Sequence, residues 1–138
     1  MGRVAIDSNI ILDFFLHREP FATQAEQIFE MIYNREIAAY TTANNLTDIY
    51  YFLNKGLGAA KAKEIIGQLL ETFVIISVTA YDCLNALNFP TNDFEDALMT
   101  ACAKKESIPY LITNDKNFLK TKSNFVNIIS SQEFLSFF

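Results

Sequence analysis

Apolar positions along this chain alternate between short unbroken runs and stripes of helical period. Arg3 to Ile6 reads as a short buried strand, followed by Asp7-Ser8-Asn9 and an apolar segment to Leu16. His17-Arg18-Glu19-Pro20 is a break, three polar residues and then a proline. Ala22 to Tyr33 is helical, with Ala25, Ile28, Phe29 and Ile32 on one face. Ile37 to Thr41 predicts a second strand. Thr42 is placed to cap the next helix, whose apolar stripe is Leu46, Ile49, Tyr50 and Leu53. Gly56 and Gly58 end that helix, and Ala59 to Leu70 forms another, with Ala62, Ile65, Ile66 and Leu69 inward.

The second half repeats the alternation. Phe73 to Val78 is a continuous apolar run, the pattern of a buried strand. Ala80 to Leu87 is a short helix stopped by Asn88-Phe89-Pro90. Asp93 to Lys105 is helical, with Phe94, Ala97, Leu98, Ala101 and Cys102 inward. Pro109 to Ile112 predicts a fourth strand, Asn127 to Ile129 a fifth, and Ser131 to Phe138 a closing helix. Strands alternating with helices predict an α/β fold with a mainly parallel central sheet of four to five strands. Ligands of such sheets bind outside the carboxyl ends of the strands.

No repeat, linker or low-complexity stretch interrupts the 138 residues, so one domain spanning 1–138 is expected. About half the residues are apolar, enough for one core. The 13 phenylalanines read as core filling. Cys83 and Cys102 form no CxxC pair and have no histidine cluster, which excludes a zinc site; Cys102 lies in the helical apolar pattern and reads as a buried small hydrophobe. Met1 to Val4 leads straight into a strand, with no signal-peptide apolar region and no run long enough to span a bilayer. The expectation is a cytoplasmic protein with no membrane association.

A net charge of -5 argues against phosphate binding through a basic face. Lys104, Lys105, Lys116, Lys120 and Lys122 fall late in the chain and form either a local basic rim or a solvated face. Carboxylates change the picture, because a divalent cation among them lets an acidic chain act on phosphates. Asp7 directly follows the first strand and Asp115 the fourth, so both sit at the carboxyl edge. Asp48 lies off the apolar stripe of its helix, near Asn44, Asn45 and Tyr51. Asp93 and Asp96 share a face at a helix start. Each has a structural reading as well, as helix cap, dipole complement or solvated residue. Acid-lined α/β crevices also serve phosphatases and receiver domains. Asp7-Ser8-Asn9 lacks the Asp-x-Asp pair of one phosphatase class, and no receiver-type lysine stands out.

The order of the motifs goes further. Ile6-Asp7-Ser8-Asn9-Ile10-Ile11-Leu12-Asp13 resembles the opening block of the PIN-domain family. Thr41-Thr42-Ala43 through Leu46-Thr47-Asp48-Ile49-Tyr50-Tyr51 resembles its second block. Asp93-Phe94-Glu95-Asp96-Ala97-Leu98 is close to the form of one PIN branch, and Ile112-Thr113-Asn114-Asp115-Lys116-Asn117-Phe118 resembles the last block. All four stand in family order over nearly the whole chain, and the branch that includes VapC-type toxins is the most similar.

The resemblance implies a three-layer α/β/α fold and a ribonuclease dependent on Mg²⁺ or Mn²⁺. Asp7 and Asp96 would be the main metal ligands and Asp115 would complete the set. Asp48 would take the second acidic position, and Asp93 would be an accessory. Ser8, Asn9 and Thr113 would orient carboxylates or the scissile phosphate. RNA is the implied substrate, an antitoxin protein and a second copy of the chain the implied partners. The family usually has Glu where this chain has Asp48, one methylene shorter. That departure keeps a rival open: a PIN-like module that binds a partner without catalysis. Asp13 reads as a local bonding residue. His17, the lone histidine, reads as exposed without a partner, and its solitude excludes a histidine-pair ribonuclease mechanism. Tyr50 and Tyr51 are candidates to stack on a base, and of the two Tyr50 reads as core.

Overall fold

The computed structural model describes residues 2–121 and 123–137. Five strands form one sheet: β1 (Gly2–Ile6), β2 (Ile37–Thr42), β3 (Val74–Ile76), β4 (Tyr110–Ile112) and β5 (Asn127–Ile129). Their spatial order is β3-β2-β1-β4-β5, and every pairing is parallel. Parallel neighbours need crossovers, and helices supply them. These are α1 (Ser8–Phe15), α2 (Ala22–Tyr33), α3 (Ala43–Leu57), α4 (Ala59–Thr72), α5 (Ala80–Ala86), α6 (Phe94–Lys105), α7 (Lys116–Leu119) and α8 (Ser131–Leu135).

The sheet separates two apolar layers because alternate strand residues face opposite sides. Val4 and Ile6 of β1 join Ile10, Ile28, Phe29, Ile49, Leu53 and Leu69 on one side. Ala5 joins Met99, Cys102, Ile108 and Phe118 on the other. The result is the three-layer α/β/α arrangement. Phe29 anchors the first layer, stacked on Phe14 at 4.0 Å between ring centroids. A side chain of this size stabilises the fold by roughly 1.5–3 kcal/mol when fully buried.

Several expectations shift. The apolar run from Phe73 to Val78 yields only the three residues of β3, and Val74 is 51% exposed. β3 is an edge strand, paired with β2 alone, so one flank needs no apolar cover. Phe94 is exposed, not inward. It opens α6, whose first turn projects from the core; burial starts at Ala97. Thr42 does occupy the N-cap of α3 but makes no side-chain capping bond. Gly56 lies within α3, and the helix ends at Gly58, whose φ of 89° is the left-handed region that favours glycine. His17 is exposed but has partners: its ring nitrogens lie 3.7 Å from Glu19 and 3.4 Å from Glu26. Cys102 is fully buried, as read. The closing helix stops at Leu135; Phe138 and Lys122 lie outside the described residues.

One polar contact ties α5 to α6. Asp82 is buried and forms a capping box with Thr79. It also accepts a 2.7 Å bond from Lys105 Nζ, which donates to the Ser77 carbonyl at 2.8 Å as well. Lys105 and the Thr79 donors hold the Asp82 carboxyl below its usual range against the opposing effect of burial. Asp82→Ala removes the cap and leaves Lys105 without its anion. The expected loss is about 2 kcal/mol at neutral pH, read by urea unfolding. The stability this bridge adds is fully present above the ordinary Asp value and is lost as the pH falls from there through the lower value of the folded state. A variant unfolding at the same urea concentration as the parent at neutral pH contradicts this role.

Candidate active site

The site is built where β1 and β4 end. Asp7 follows β1, and its amide donates to the Ile112 carbonyl at 3.0 Å, which pins it against β4. It occupies the N-cap of α1, yet its side chain makes no capping bond. Its Oδ2 instead accepts from the Thr113 hydroxyl at 2.7 Å. Thr113 is fully buried, and its oxygen also accepts from the Asp115 amide at 3.1 Å. The single hydroxyl proton is thereby directed to Asp7. Simple capping therefore does not account for Asp7.

Asp115 does cap. Its Oδ1 accepts from the amides of Asn117 (2.8 Å) and Phe118 (3.0 Å) at the start of α7. Asp93 caps α6 through Oδ1, which accepts from the Asp96 amide at 3.0 Å. Asp96 thus has its cap supplied by a neighbour, and its own carboxyl is not used for one.

These carboxyls act on one another through their charges. The Asp7 carboxyl is pushed up to about 6, mainly by burial and further by the charge of Asp115, against the lowering bonds from Thr113 and Ser8. Asp96 is pushed up to about 7, first by burial and then by the charges of Asp93, Asp7 and Asp115. Glu95 is pushed up to about 7, first by a hydrogen bond with the Asp48 side chain, then by burial and by the charges of Asp48, Asp93 and Asp7. Carboxylates that resist ionisation beside one another form a field that a divalent cation relieves.

The donor set suits Mg²⁺ or Mn²⁺. It is all oxygen and hard, and Mg²⁺ takes only one or two carboxylates while keeping waters. Among the described residues no group of three or more acidic, histidine or cysteine side chains is placed to hold a metal ion. At the neighbouring carboxyl end of β2, Thr42 Oγ1 and, one residue into α3, Asn44 Oδ1 are buried with no partner among the described residues. Unpaired buried polar atoms are costly and call for a ligand or water.

The other named residues divide. Ser8 bonds Asp7 as expected. Asn9 does not: its carbonyl and side-chain oxygens accept from Arg18 at 3.2 and 3.3 Å. Asp13 bonds locally, accepting from Arg18 Nε at 2.9 Å. Tyr50 packs against the core; Tyr51 is exposed, edge-on to Phe52. Of the lysines, Lys105 is tied to Asp82 and Lys104 lies 3.9 Å over the Phe125 ring. Lys116 is exposed beside Asp115. A groove of about 780 Å³ between α5, the end of α6 and Phe125 contains none of the crevice carboxylates. Glu95 was assigned no role from sequence. The signal was available: three acids in the four residues 93–96 exceed what one cap and one helix dipole require.

Among the described residues no helix is long and apolar enough to cross a membrane. The sequence profile of the PIN domain matches residues 3–117. Ribonuclease VapC1 of Aquifex aeolicus (strain VF5) is 26% identical over 137 residues, covering 96% of this chain and 92% of that protein. The VapC20 toxin of Mycobacterium tuberculosis, which cleaves the sarcin–ricin loop, superposes with a TM-score of 0.70 at 17% identity, covering 90% of this chain and 97% of VapC20. A toxin–antitoxin complex from Klebsiella pneumoniae gives 0.67 at 17% identity over 93% of this chain and 97% of the matched one.

Proposed function

Since the chain belongs to the PIN-domain family, we propose that it is an endoribonuclease dependent on Mg²⁺ or Mn²⁺, with Asp7, Asp96 and Asp115 holding the cation and Asp48 in the second acidic position. The observation that carries this reading is Asp7: a near-buried carboxylate at the sheet edge, released from capping and bonded to Thr113 in the field of Asp96 and Asp115. Thr113 and Ser8 bond it, no cation pairs with it among the described residues, and the charge acting on it is that of another acid, Asp115.

The chain's own groups do the positioning. Thr113 fixes the orientation of the Asp7 carboxyl, and β1 and β4 hold both backbones by the ladder that pairs Ile6 with Ile112. Asp93 caps α6 and so sets where Asp96 stands. Asp115 caps α7 with one oxygen and adds negative charge to the crevice. A divalent cation, when bound, supplies the activation of water and the positive charge that phosphodiester hydrolysis requires. It also accounts for how a chain of net charge -5 meets a polyanion.

The relatives support a toxin role with a protein antitoxin as partner. A homodimer, a cytoplasmic setting and a single domain spanning 1–138 belong to the same proposal. The rival is a binding module without catalysis, and the short Asp48 is the feature that favours it. Incubation with RNA decides between them. The nuclease reading expects cleavage with Mn²⁺ or Mg²⁺, its loss with EDTA and its return when metal is restored in excess. Cleavage unaffected by EDTA, or none with either metal, contradicts it.

A further inference from the structure

Two aromatic rings stand largely in water along one groove. The groove, of about 780 Å³, lies between α5, the end of α6 and the segment that precedes β5. Tyr81 lines it from α5 and is 70% exposed; Phe125 lines it from the other segment and is 62% exposed. Apolar surface left in water around a concavity marks a place where something binds. The polar lining is as informative. The side-chain amides of Asn85, Asn88 and Asn124 line the groove and make no hydrogen bond among the described residues.

The charged groups of the lining are Lys104, Lys105 and Asp82. Asp82 is buried and bonded to Lys105 at 2.7 Å, so these two satisfy each other. Lys104 is left without a carboxylate partner among the described residues, and its Nζ stands 3.9 Å from the centroid of the Phe125 ring. The dipole of α6 accounts for lysines in its last turn, but not for exposed rings beside them.

Rings, amides and a cation are how single-stranded RNA is held: bases stack, base edges bond to polar side chains, and a phosphate takes the charge. The sign of the charge favours this occupant. The chain carries -5 overall, yet the lining of this groove has two lysines against one aspartate. An apolar protein segment would bury Lys104 without an anion, which is costly. A phosphate supplies that anion. The position also suits a substrate of the crevice. Lys104 lies eight residues beyond Asp96 on α6, about 12 Å at 1.5 Å per residue. About four stacked nucleotides span that length at about 3.4 Å each.

Resting on the nuclease reading above for the identity of its ligand, we propose that this groove binds a single-stranded segment of the RNA away from the scissile phosphate. Bases stack on Tyr81 and Phe125, and a phosphate meets Lys104.

The test is the binding of a fluorescent single-stranded RNA of about 12 nucleotides, read by anisotropy in EDTA at low salt. With no cation in the crevice, affinity then reports on the groove. Tyr81→Ala, Phe125→Ala and Phe125→Leu are each expected to weaken binding by about 5-fold or more, the lower end of what a base stacked on a ring contributes. Leucine keeps the apolar bulk of Phe125, so a loss shared by both variants is a loss of stacking. Lys104→Gln is expected to reduce the slope of log affinity against log salt by about 0.7, one phosphate contact on a single strand. In Mn²⁺ the same variants are expected to cleave this RNA with a raised KM and a kcat near that of the parent, and to melt as the parent does. Ring variants that bind RNA as the parent does overturn the inference, and a changed sedimentation coefficient in those variants would assign the groove to a protein contact instead. A loss in Phe125→Ala that is absent from Phe125→Leu overturns it too. In either case, Mn²⁺-dependent cleavage by the parent leaves the nuclease reading standing. A parent that binds this RNA through the groove but cuts it with neither metal supports the groove and overturns the nuclease reading.

Discussion

Asp7→Asn is expected to abolish RNA cleavage while making the metal-free protein more stable. The two effects have one cause. Burial holds the Asp7 carboxyl at about 6, against an ordinary value of 3.8. Its ionised form is therefore costly to fold around at neutral pH. A shift of about two units corresponds to about 3 kcal/mol. Asparagine keeps the shape and can still accept from Thr113 but carries no charge. Because its amide must also be desolvated, we expect about 2 kcal/mol of that penalty back, or roughly 6 °C in melting temperature for a chain of this size. Cleavage is expected to fall at least about 100-fold, since a direct ligand matters no less than the outer groups that support it. Melting curves and cleavage rates on the same preparations check both parts. A variant that loses activity and melts lower than the parent indicates a fold defect instead.

Asp96→Asn carries the second large effect, and metal titration reads it best. The same loss of cleavage is expected, with a smaller gain in stability, about 1 kcal/mol, because the half-buried Asp96 is partly screened by solvent. The pH dependence follows. Below the ordinary Asp value, Asp7 and Asp96 are protonated in folded and unfolded chains alike. As the pH rises toward about 6 and 7, the unfolded chain has released these protons and the folded chain still holds them. Their contribution to stability is thus lost across that window, and the loss is complete above it. The gap between each variant and the parent should open from pH 4 to pH 7 in the absence of metal. Millimolar Mn²⁺ should raise the melting temperature of the parent and leave Asp7→Asn and Asp96→Asn nearly unmoved, because binding to the folded state alone stabilises it. Equal Mn²⁺ shifts in all three proteins would place the cation elsewhere.

Much of this molecule is legible in its residues, for physical reasons. The run Arg3 to Ile6 ends at Asp7, and the run Pro109 to Ile112 ends just before Thr113-Asn114-Asp115, so the sheet edge and two of its acids come from strand ends alone. The stripes of α2 and α4 follow helical period because one face of each meets the sheet. What could not be read depends on contacts between distant segments. The bond of Thr113 to Asp7 spans 106 residues and separates a working carboxylate from a cap. In sequence the two look alike, and Asp115 and Asp93 do cap. Glu95 resembles any acid in a first turn until α3 brings Asp48 against it. Phe94 continues an apolar stripe that the fold leaves uncovered. His17 finds Glu26 only because Pro20 and the following turn lead the chain back.

The most direct test of the account is the rate of RNA cleavage in Mn²⁺ by the folded Asp7→Asn and Asp96→Asn proteins beside the parent. The parent is expected to cut and to stop on chelation, and both variants are expected to be intact in fold and inactive. Cutting by either variant at the parental rate would contradict the assignment of this crevice as the active site.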